Sequence, residues 1–217
     1  MLSNKGAAMF KDRFDAGKQL AQKLSEFKNS NNTTILAVPC GGVPVGYELA
    51  RELSVPLDLI LTKKIGYPGN PDYTIGALSL DNLIIDKRAL EFSGDMEEYI
   101  KKQISILRQA LRAESAFYHG PRMPMKIENR NVILVDDGIS TGKNLEITAD
   151  LIKKMQPQKL VIAVPVASKE ALQLIKKKVD EVFCLYIPEP FINKAQWYTE
   201  FDPVDQDQVV QLLQVLY

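Results

Sequence analysis

The chain has 217 residues, of which 46% are hydrophobic and 25% are charged, and its 27 basic side chains balance its 27 acidic ones. This composition predicts a globular protein with a sizeable core, and zero net charge gives no general attraction to nucleic acid or to an anionic membrane. No apolar stretch approaches a membrane helix, no secretory leader is evident, and Cys40 and Cys184 lack paired or metal-type spacing, so we expect a cytoplasmic protein.

Apolar residues recur with helical spacing and in strand-like runs that alternate along the chain. Pro44 lies near the first turn of the second predicted helix, where its fixed backbone angle is tolerated. The predicted elements, in chain order, are a helix at 14–27, a strand at 34–38, a helix ending at 53, a strand at 55–62, a helix from Ser93 past 111, a strand at 132–135, a helix at 144–155, a strand at 160–164, a helix from Ser168 to 178, a strand at 181–186 and a helix from Asp205 onward.

Strands that alternate with helices predict an α/β protein with a mostly parallel central sheet and helices on both faces. Ligands bind such sheets at the carboxyl ends of the strands. Residues 63–86 interrupt the alternation because turn-forming residues are dense there, so we expect a flexible loop with a hairpin near Ala77 and Leu83. The terminal segments, mainly 187–217, are expected to form a small cap on one domain that spans 1–217.

Residues 132–142 carry the most informative motif. The apolar run 132–135 predicts a buried strand that delivers two adjacent carboxylates, Asp136 and Asp137, to its end. A small loop then leads into a helix, whose first N–H groups and positive dipole end suit a phosphate. Carboxylates accept hydrogen bonds from sugar hydroxyls or hold a hydrated divalent cation. The motif therefore favours a sugar-phosphate site over an ordinary turn with solvated aspartates.

Two better-known phosphate motifs fit less well. Residues 138–144 approach a P-loop, but the loop is one residue short and Asn144 replaces the hydroxyl that binds magnesium. The glycines of 41–46 miss the dinucleotide spacing, and Pro44 would lie among them. The single histidine, His119, has no companion for a zinc site or a catalytic triad, and we expect it on the surface.

Residues 132–142 resemble the 5-phosphoribosyl 1-pyrophosphate (PRPP) motif of the type I phosphoribosyltransferase family, in which hydrophobic residues precede two acids and a Thr-Gly step. Four other segments, 14–21, 39–45, 75–77 and 197–201, are similar to a subgroup of predicted phosphoribosyltransferases in that family. The resemblance covers nearly the whole chain. It implies the fold of the family and a PRPP site, but it leaves the acceptor open.

The resemblance also implies roles for individual residues around the sugar. Asp136 and Asp137 would hold the ribose hydroxyls, directly or through Mg²⁺. The 5-phosphate would bind the Thr141 hydroxyl and the backbone N–H groups of the loop, whose residues are Gly138, Ile139, Ser140, Thr141, Gly142 and Lys143.

On the pyrophosphate side, the resemblance implies binding by backbone N–H groups of Cys40, Gly41 and Gly42. Lys63 or Lys64 would offset the charge of the departing pyrophosphate, and the segment after them would close over the reacting centre. The implied reaction is displacement at ribose C1, which moves the phosphoribosyl group to a nitrogenous base or a related small acceptor, with Mg²⁺ and a lysine stabilising the leaving group.

Three positions depart from the pattern of the family. Cys40 stands where the subgroup generally carries arginine, Asn144 replaces a common hydroxyl residue, and Ser140 stands where 6-oxopurine enzymes carry an aspartate. These departures keep two alternatives to a transferase open: a sensor that binds PRPP or a nucleotide without turnover, and a hydrolase of a phosphorylated sugar or nucleotide. Dimers are frequent in the family, so a homodimer is a further expectation.

Aromatic side chains in two regions could stack on a planar acceptor. Tyr67 and Tyr73 lie in the predicted loop, whereas Phe191, Trp197 and Tyr198 lie near the end of the chain. The alternative, which the sequence favours, is that these side chains pack the C-terminal cap onto the sheet.

Overall fold

A computed structural model of the chain describes residues 9–86 and 94–216. The helices are α1 (Arg13–Lys23), α2 (Gly42–Leu53), α3 (Gly94–His119), α4 (Lys143–Lys153), α5 (Lys169–Ile175) and α6 (Gln206–Val215). The strands are β1 (Thr33–Ala37), β2 (Leu57–Leu59), β3 (Lys63–Tyr67), β4 (Asn70–Leu78), β5 (Leu83–Ile85), β6 (Asn131–Val135), β7 (Lys159–Val166) and β8 (Glu181–Tyr186). The predicted cap at Ser93 lies outside the described residues.

The central sheet has five parallel strands in the order β2-β1-β6-β7-β8. Successive residues of a strand point to opposite faces, so Ile35 and Ala37 join one hydrophobic cluster, whereas Leu36 between them joins a second. The first cluster includes apolar residues of α1, α2 and α6, and the second includes those of α4 and α5. Helices therefore cover both faces of the sheet, and the predicted fold class is confirmed.

The order of the strands reverses between β1 and β6. From β1 the chain moves to β2 at one edge of the sheet, and it later returns to β6 on the other side of β1 and continues outward to β7 and β8. In open α/β sheets, ligands bind at the carboxyl edge where the strand order reverses, and here that edge carries the loops after β1 and β6. The predicted ligand residues of both loops, 40–42 and 136–143, therefore meet at one place.

Residues 63–86 differ from the expected flexible loop, because β3, β4 and β5 form a three-stranded antiparallel sheet there. Ile65, Ile75 and Leu78 are buried and join the larger hydrophobic cluster, which gives these strands a core to pack on. The turn formers around Gly69 make only the tip between β3 and β4. The predicted hairpin is confirmed as part of a larger antiparallel sheet than the sequence indicated, and mobility of this segment stays a prediction.

His119 is buried, contrary to the surface position expected from the sequence. It ends α3 with 7% of its surface exposed, and its Nε2 lies 2.7 Å from Oδ1 of Asp58 on the edge strand β2. The hydrogen bond with Asp58 raises the pKa of His119. The sequence showed no partner because the two residues are far apart along the chain and meet only when α3 packs against the sheet.

Two predicted helix caps are confirmed. The Ser168 hydroxyl accepts the backbone N–H of Ala171 at the start of α5, and Asp205 forms a capping box with Gln208 at the start of α6. None of the helices in the described ranges is long and apolar enough to cross a membrane.

Candidate functional site

The loop after β1 packs directly against the loop after β6. The Val38 N–H donates to the Val135 carbonyl over 3.0 Å, and the Pro39–Cys40 peptide bond is cis. A Cβ atom on Gly42 would lie 2.8 Å from the Val135 carbonyl oxygen, and one on Gly41 would overlap a carboxylate oxygen of Asp137. Both glycines are therefore needed for contact with the acidic pair. Gly42 was also predicted to donate its N–H to pyrophosphate, but this N–H donates to the Val38 carbonyl over 3.1 Å, so of the three predicted donors Cys40 and Gly41 remain.

Protein groups from the described residues surround the Asp137 side chain. Its side chain is 2% exposed; Arg13 Nε donates to Oδ2 over 3.0 Å, and the Lys194 ammonium donates to Oδ1. The Tyr198 hydroxyl donates to the Asp137 carbonyl over 2.6 Å. A second Arg13 nitrogen donates to the Asp202 carbonyl over 2.7 Å, so one carboxylate joins the N-terminal helix to the C-terminal segment.

Asp136 is in a different electrostatic position from its neighbour. Its Oδ1 accepts the backbone N–H of Asp137 over 2.8 Å, and within the described ranges no basic side chain forms an ion pair with it. Burial, followed by the negative charge of Asp137, raises the pKa of Asp136, although Lys194 acts in the opposite direction. A cation or a hydroxyl donor that reached Asp136 would relieve this unfavourable charge.

The turn after the acidic pair leaves a row of backbone donors unused. Ile139 anchors the turn, because its N–H donates to Val166 over 2.9 Å and its carbonyl accepts the Ser168 N–H over 2.9 Å. Gly142 adopts a positive φ of 76° just before α4. From Ser140 to Asn144, the backbone N–H groups donate to no protein acceptor in the described part of the chain. Unused amides at the start of a helix, here one of 11 residues, are groups with which proteins commonly bind anions.

Side chains at the turn are mostly solvent-facing. Ser140, Thr141, Lys143 and Asn144 are exposed, whereas Gly138, Ile139 and Gly142 are buried. The Thr141 hydroxyl, which the resemblance assigns to the 5-phosphate, and the Lys143 ammonium, which was not assigned, are both accessible to solvent. Of the predicted phosphate residues, the buried ones shape the turn and the exposed ones carry free polar groups.

The two candidate lysines point to different places. Lys63 pairs with Glu114 of α3 over 2.7 Å, whereas the Lys64 ammonium contacts the Asn144 side chain at the start of α4. Lys64 therefore lies beside the amide turn, and Lys63 is neutralised by a carboxylate. Neither lysine contacts the acidic pair. Cys40 faces Tyr118, with Sγ 3.7 Å from the hydroxyl oxygen.

Sequence reasoning missed Arg13 and Lys194, the two cations that hold Asp137. Arg13 is separated from Asp137 by 124 positions and Lys194 by 57, and neither lies in a motif that indicates a charge partner. The aromatic residues near the end of the chain gave the only signal. The Tyr198 ring lies 5.2 Å from that of Phe10 and 4.9 Å from that of Phe201, which confirms for Tyr198 the packing interpretation that the sequence favoured.

The donor set suits one kind of metal ion. Within the described ranges, no three His, Cys, Asp or Glu residues cluster as a metal cage. Mg²⁺ differs from zinc in this respect, because it is commonly held by one or two carboxylates together with substrate phosphates and water. Asp136, half-buried and without a basic partner, fits that mode of binding, whereas both oxygens of Asp137 already accept bonds from cations.

Comparison with known proteins gives consistent results. Residues 7–198 match the family described as phosphoribosyl transferase domain. The chain is 32% identical over 211 residues to a predicted phosphoribosyl transferase of Mycobacterium tuberculosis, a match that covers 94% of this chain and 46% of that protein. The chain thus spans about half the length of the curated relatives it matches.

Two solved structures are similar in fold. A Thermus thermophilus protein is 33% identical with a TM-score of 0.85, over 95% of this chain and 98% of that one. An Aquifex aeolicus protein, 11% identical with a TM-score of 0.51, covers 90% of this chain and 92% of its own, and shows similarity of fold alone.

Proposed function

The chain belongs to the phosphoribosyl transferase family, and we propose that it moves the 5-phosphoribosyl group of PRPP to a nitrogenous base or a related small acceptor, with release of pyrophosphate. One observation carries the proposal: the unused backbone N–H groups of 140–144 follow directly on the acidic pair at the reversal of the sheet. A ribose 5-phosphate carries hydroxyls on its ring and a phosphate at the opposite end of the molecule. The acid and the amides match those two groups.

The sugar end of the ligand is assigned to Asp136. Its carboxylate lacks a basic partner, so hydrogen bonds from ribose hydroxyls would favour the charged form that burial disfavours. The phosphate end is assigned to the N–H groups of 140–144 and to the Thr141 hydroxyl. Together these contacts would fix the orientation of C1 relative to the acceptor, which is a large part of catalysis in a displacement with little covalent chemistry for the protein.

The pyrophosphate is assigned to the other loop at this edge, the one after β1. The backbone N–H groups of Cys40 and Gly41 donate to no protein acceptor in the described part of the chain. Lys64 is the better candidate for the leaving-group cation, because Lys63 is paired with Glu114. The Lys64 ammonium would have to leave Asn144 beside the amide turn and swing toward the pyrophosphate. The chain would stabilise the departing charge with these N–H groups and one ammonium, and the acceptor would attack C1 from the opposite side with inversion.

A divalent cation is part of the proposal. Asp136 would hold Mg²⁺ together with ligand oxygens, and the ion would supply charge stabilisation for the departing pyrophosphate.

The proposal is tested by incubating the protein with PRPP, Mg²⁺ and a panel of bases and measuring released pyrophosphate. The expected result is base-dependent release that is lost in Asp136→Asn and retained in Asp95→Asn, which alters an exposed aspartate in the first turn of α3. The absence of pyrophosphate release with every base, together with no binding of PRPP, would overturn the proposal.

A second candidate is a sensor that binds PRPP or a nucleotide without turnover. The observation that favours it is the complete occupation of Asp137 by Arg13 and Lys194, because a carboxylate already bonded to two cations has less to offer the ribose. The sensor predicts thermal stabilisation by PRPP without product. Turnover in the same assay would eliminate a purely sensory role, and pyrophosphate release without a base would instead indicate hydrolysis.

A further inference from the structure

Lys194 is the least firmly held of the groups around Asp137. Its side chain is 37% exposed, whereas the carboxylate it contacts is 2% exposed. The contact through Asp137 Oδ1 is the one ion pair that Lys194 makes among the described residues. The ammonium therefore contacts Asp137 on one side and is open to solvent on another.

The backbone places Lys194 at the acidic pair. Gly138, which follows the pair, has a φ of 150°, and a Cβ atom there would lie 3.0 Å from the Cβ of Lys194. The Lys194 carbonyl accepts the Trp197 N–H over 3.2 Å, and the Tyr198 hydroxyl fastens the same segment to Asp137. The segment would therefore stay attached if the ammonium moved away, and only the four-carbon side chain would need to swing.

Arg13 offers a useful contrast on the other oxygen of the same carboxylate. Its side chain is 10% exposed, a second nitrogen donates to the Asp202 carbonyl, and its guanidinium lies 3.7 Å above the centre of the Phe201 ring. Three different contacts hold Arg13, so its position is fixed. Lys194, with one contact and a flexible stem, is the group that can leave.

We propose that Lys194 is an internal counter-cation, which occupies the side of Asp137 that a divalent cation or a ribose hydroxyl would otherwise contact and which must leave Asp137 before either can bind there. The inference rests on the proposed function, because it concerns the same ligand site. It assigns the two acids different states: Asp136 is available at once, and Asp137 becomes available only when Lys194 is displaced. Lys194 thereby sets how strongly the free protein binds a cation.

The test uses Mn²⁺ alone, with binding measured by electron paramagnetic resonance on the full chain. Lys194→Met removes the ammonium and leaves Oδ1 of Asp137 without its cation, so Mn²⁺ should bind about tenfold or more tightly than to the unaltered protein. Lys194→Arg keeps a cation and should bind no better than the unaltered protein. Adding Asp137→Asn to Lys194→Met should abolish the gain.

Lys159→Met is the matched control. Lys159 also pairs with a carboxylate, that of Glu181 over 2.9 Å, and its side chain is 29% exposed, but this pair lies where β7 and β8 begin, at the edge of the sheet opposite the acidic pair. The control should bind Mn²⁺ as the unaltered protein does. Equal Mn²⁺ affinity of the Lys194→Met variant and the unaltered protein would overturn the inference, as would an equal gain in the control.

A second measurement uses the unaltered protein, so it does not depend on whether a variant folds. Acetylation of lysines by an active ester, read residue by residue by mass spectrometry, should increase at Lys194 when ribose 5-phosphate is added and stay constant at Lys159. An unchanged rate at Lys194 with ribose 5-phosphate bound would overturn the inference. That result would leave the proposed function intact, whereas absence of PRPP binding and turnover would remove the function without altering the Mn²⁺ result.

Discussion

The two halves of the site are built in opposite ways. At Asp137, Arg13, Lys194 and Tyr198 satisfy a buried carboxylate and its carbonyl, whereas a few residues later the amide turn leaves five consecutive N–H groups, from Ser140 to Asn144, without a protein acceptor among the described residues. The part around Asp137, here called the anchored half, ties the N-terminal helix and the C-terminal segment to the sheet. The amide turn and Asp136, here called the open half, have polar groups that are free to bind a ligand. Adjacent residues of one motif thus have different roles, one structural and one in ligand binding.

Removal of the fixed cation should give the largest effect on the anchored half. Arg13→Met leaves Asp137 with a single, displaceable partner inside the protein, and breaking a buried pair in this way costs about 3–5 kcal/mol of the free energy of unfolding. Urea unfolding measures this loss. The control Lys101→Met removes a fully exposed pair with Glu97, which solvent screens, and should leave the free energy of unfolding nearly unchanged. Equal losses in the two variants would mean that Asp137 is not an anchor.

Substitution in the open half should act on turnover rather than on stability. Asp136→Asn keeps the shape of the side chain but removes the charge assigned to ribose or Mg²⁺, so kcat/KM for the proposed transfer should fall by about 10²–10³-fold. Its unfolding midpoint in urea should stay the same or rise, because a charge that burial disfavours is removed. A variant that lost stability and kept activity would reverse the roles assigned to the two acids.

The amide turn can be tested through its glycine. Gly142 has a φ of 76°, and a Cβ atom there would lie 3.2 Å from Ala171, so Gly142→Ala adds packing conflict to the strain of a left-handed backbone, which alone costs about 1–2 kcal/mol. Gly69→Ala is a matched control, because Gly69 has a φ of 78° and no described neighbour within 4 Å. Chemical denaturation should show a greater loss for Gly142→Ala, and only this variant should bind ribose 5-phosphate more weakly. Equal ribose 5-phosphate affinity in the two variants would contradict the assigned role of the turn.

The last prediction is a pH dependence. Because burial and Asp137 raise the pKa of Asp136, the folded chain holds a proton on Asp136 between the ordinary pKa and the raised one, where the unfolded chain has lost it, and stability falls as pH rises through this range. The slope is at most about 1.4 kcal/mol per pH unit. Urea unfolding at a series of pH values should show that Asp136→Asn flattens this decline, whereas an unchanged profile would mean that Asp136 is ionised throughout.

The anchored and open halves also differ in how well the sequence predicted them. Local patterns located the open half: the strand at 132–135, the acidic pair and the start of the next helix are all neighbours in the chain. The parallel sheet followed from the alternation of elements, and the strand Glu181–Tyr186 and the helix ending at Leu53 were predicted with their correct ends.

Contacts between distant residues could not be read in this way. Arg13 and Lys194 look like ordinary solvated cations until the ends of the chain fold over the sheet, and the pair of His119 with Asp58 depends on the packing of α3. The dense turn formers after Tyr67 suggested a loop, but the apolar residues Ile65 and Ile75 on either side bury enough surface to form strands. The structure at these positions depends on burial by residues distant in the chain, which a local sequence pattern cannot indicate.

The central claim is that Asp136 and the amide turn together bind a phosphorylated ribose. It is tested most directly by recording backbone amide resonances during titration with ribose 5-phosphate, with ribose as the control that lacks the phosphate. The account predicts that the largest shifts occur at the N–H groups of Ser140 to Asn144, that Asp136→Asn weakens binding, and that ribose alone leaves these amides unchanged. Binding of ribose 5-phosphate without any shift at these amides would contradict the account.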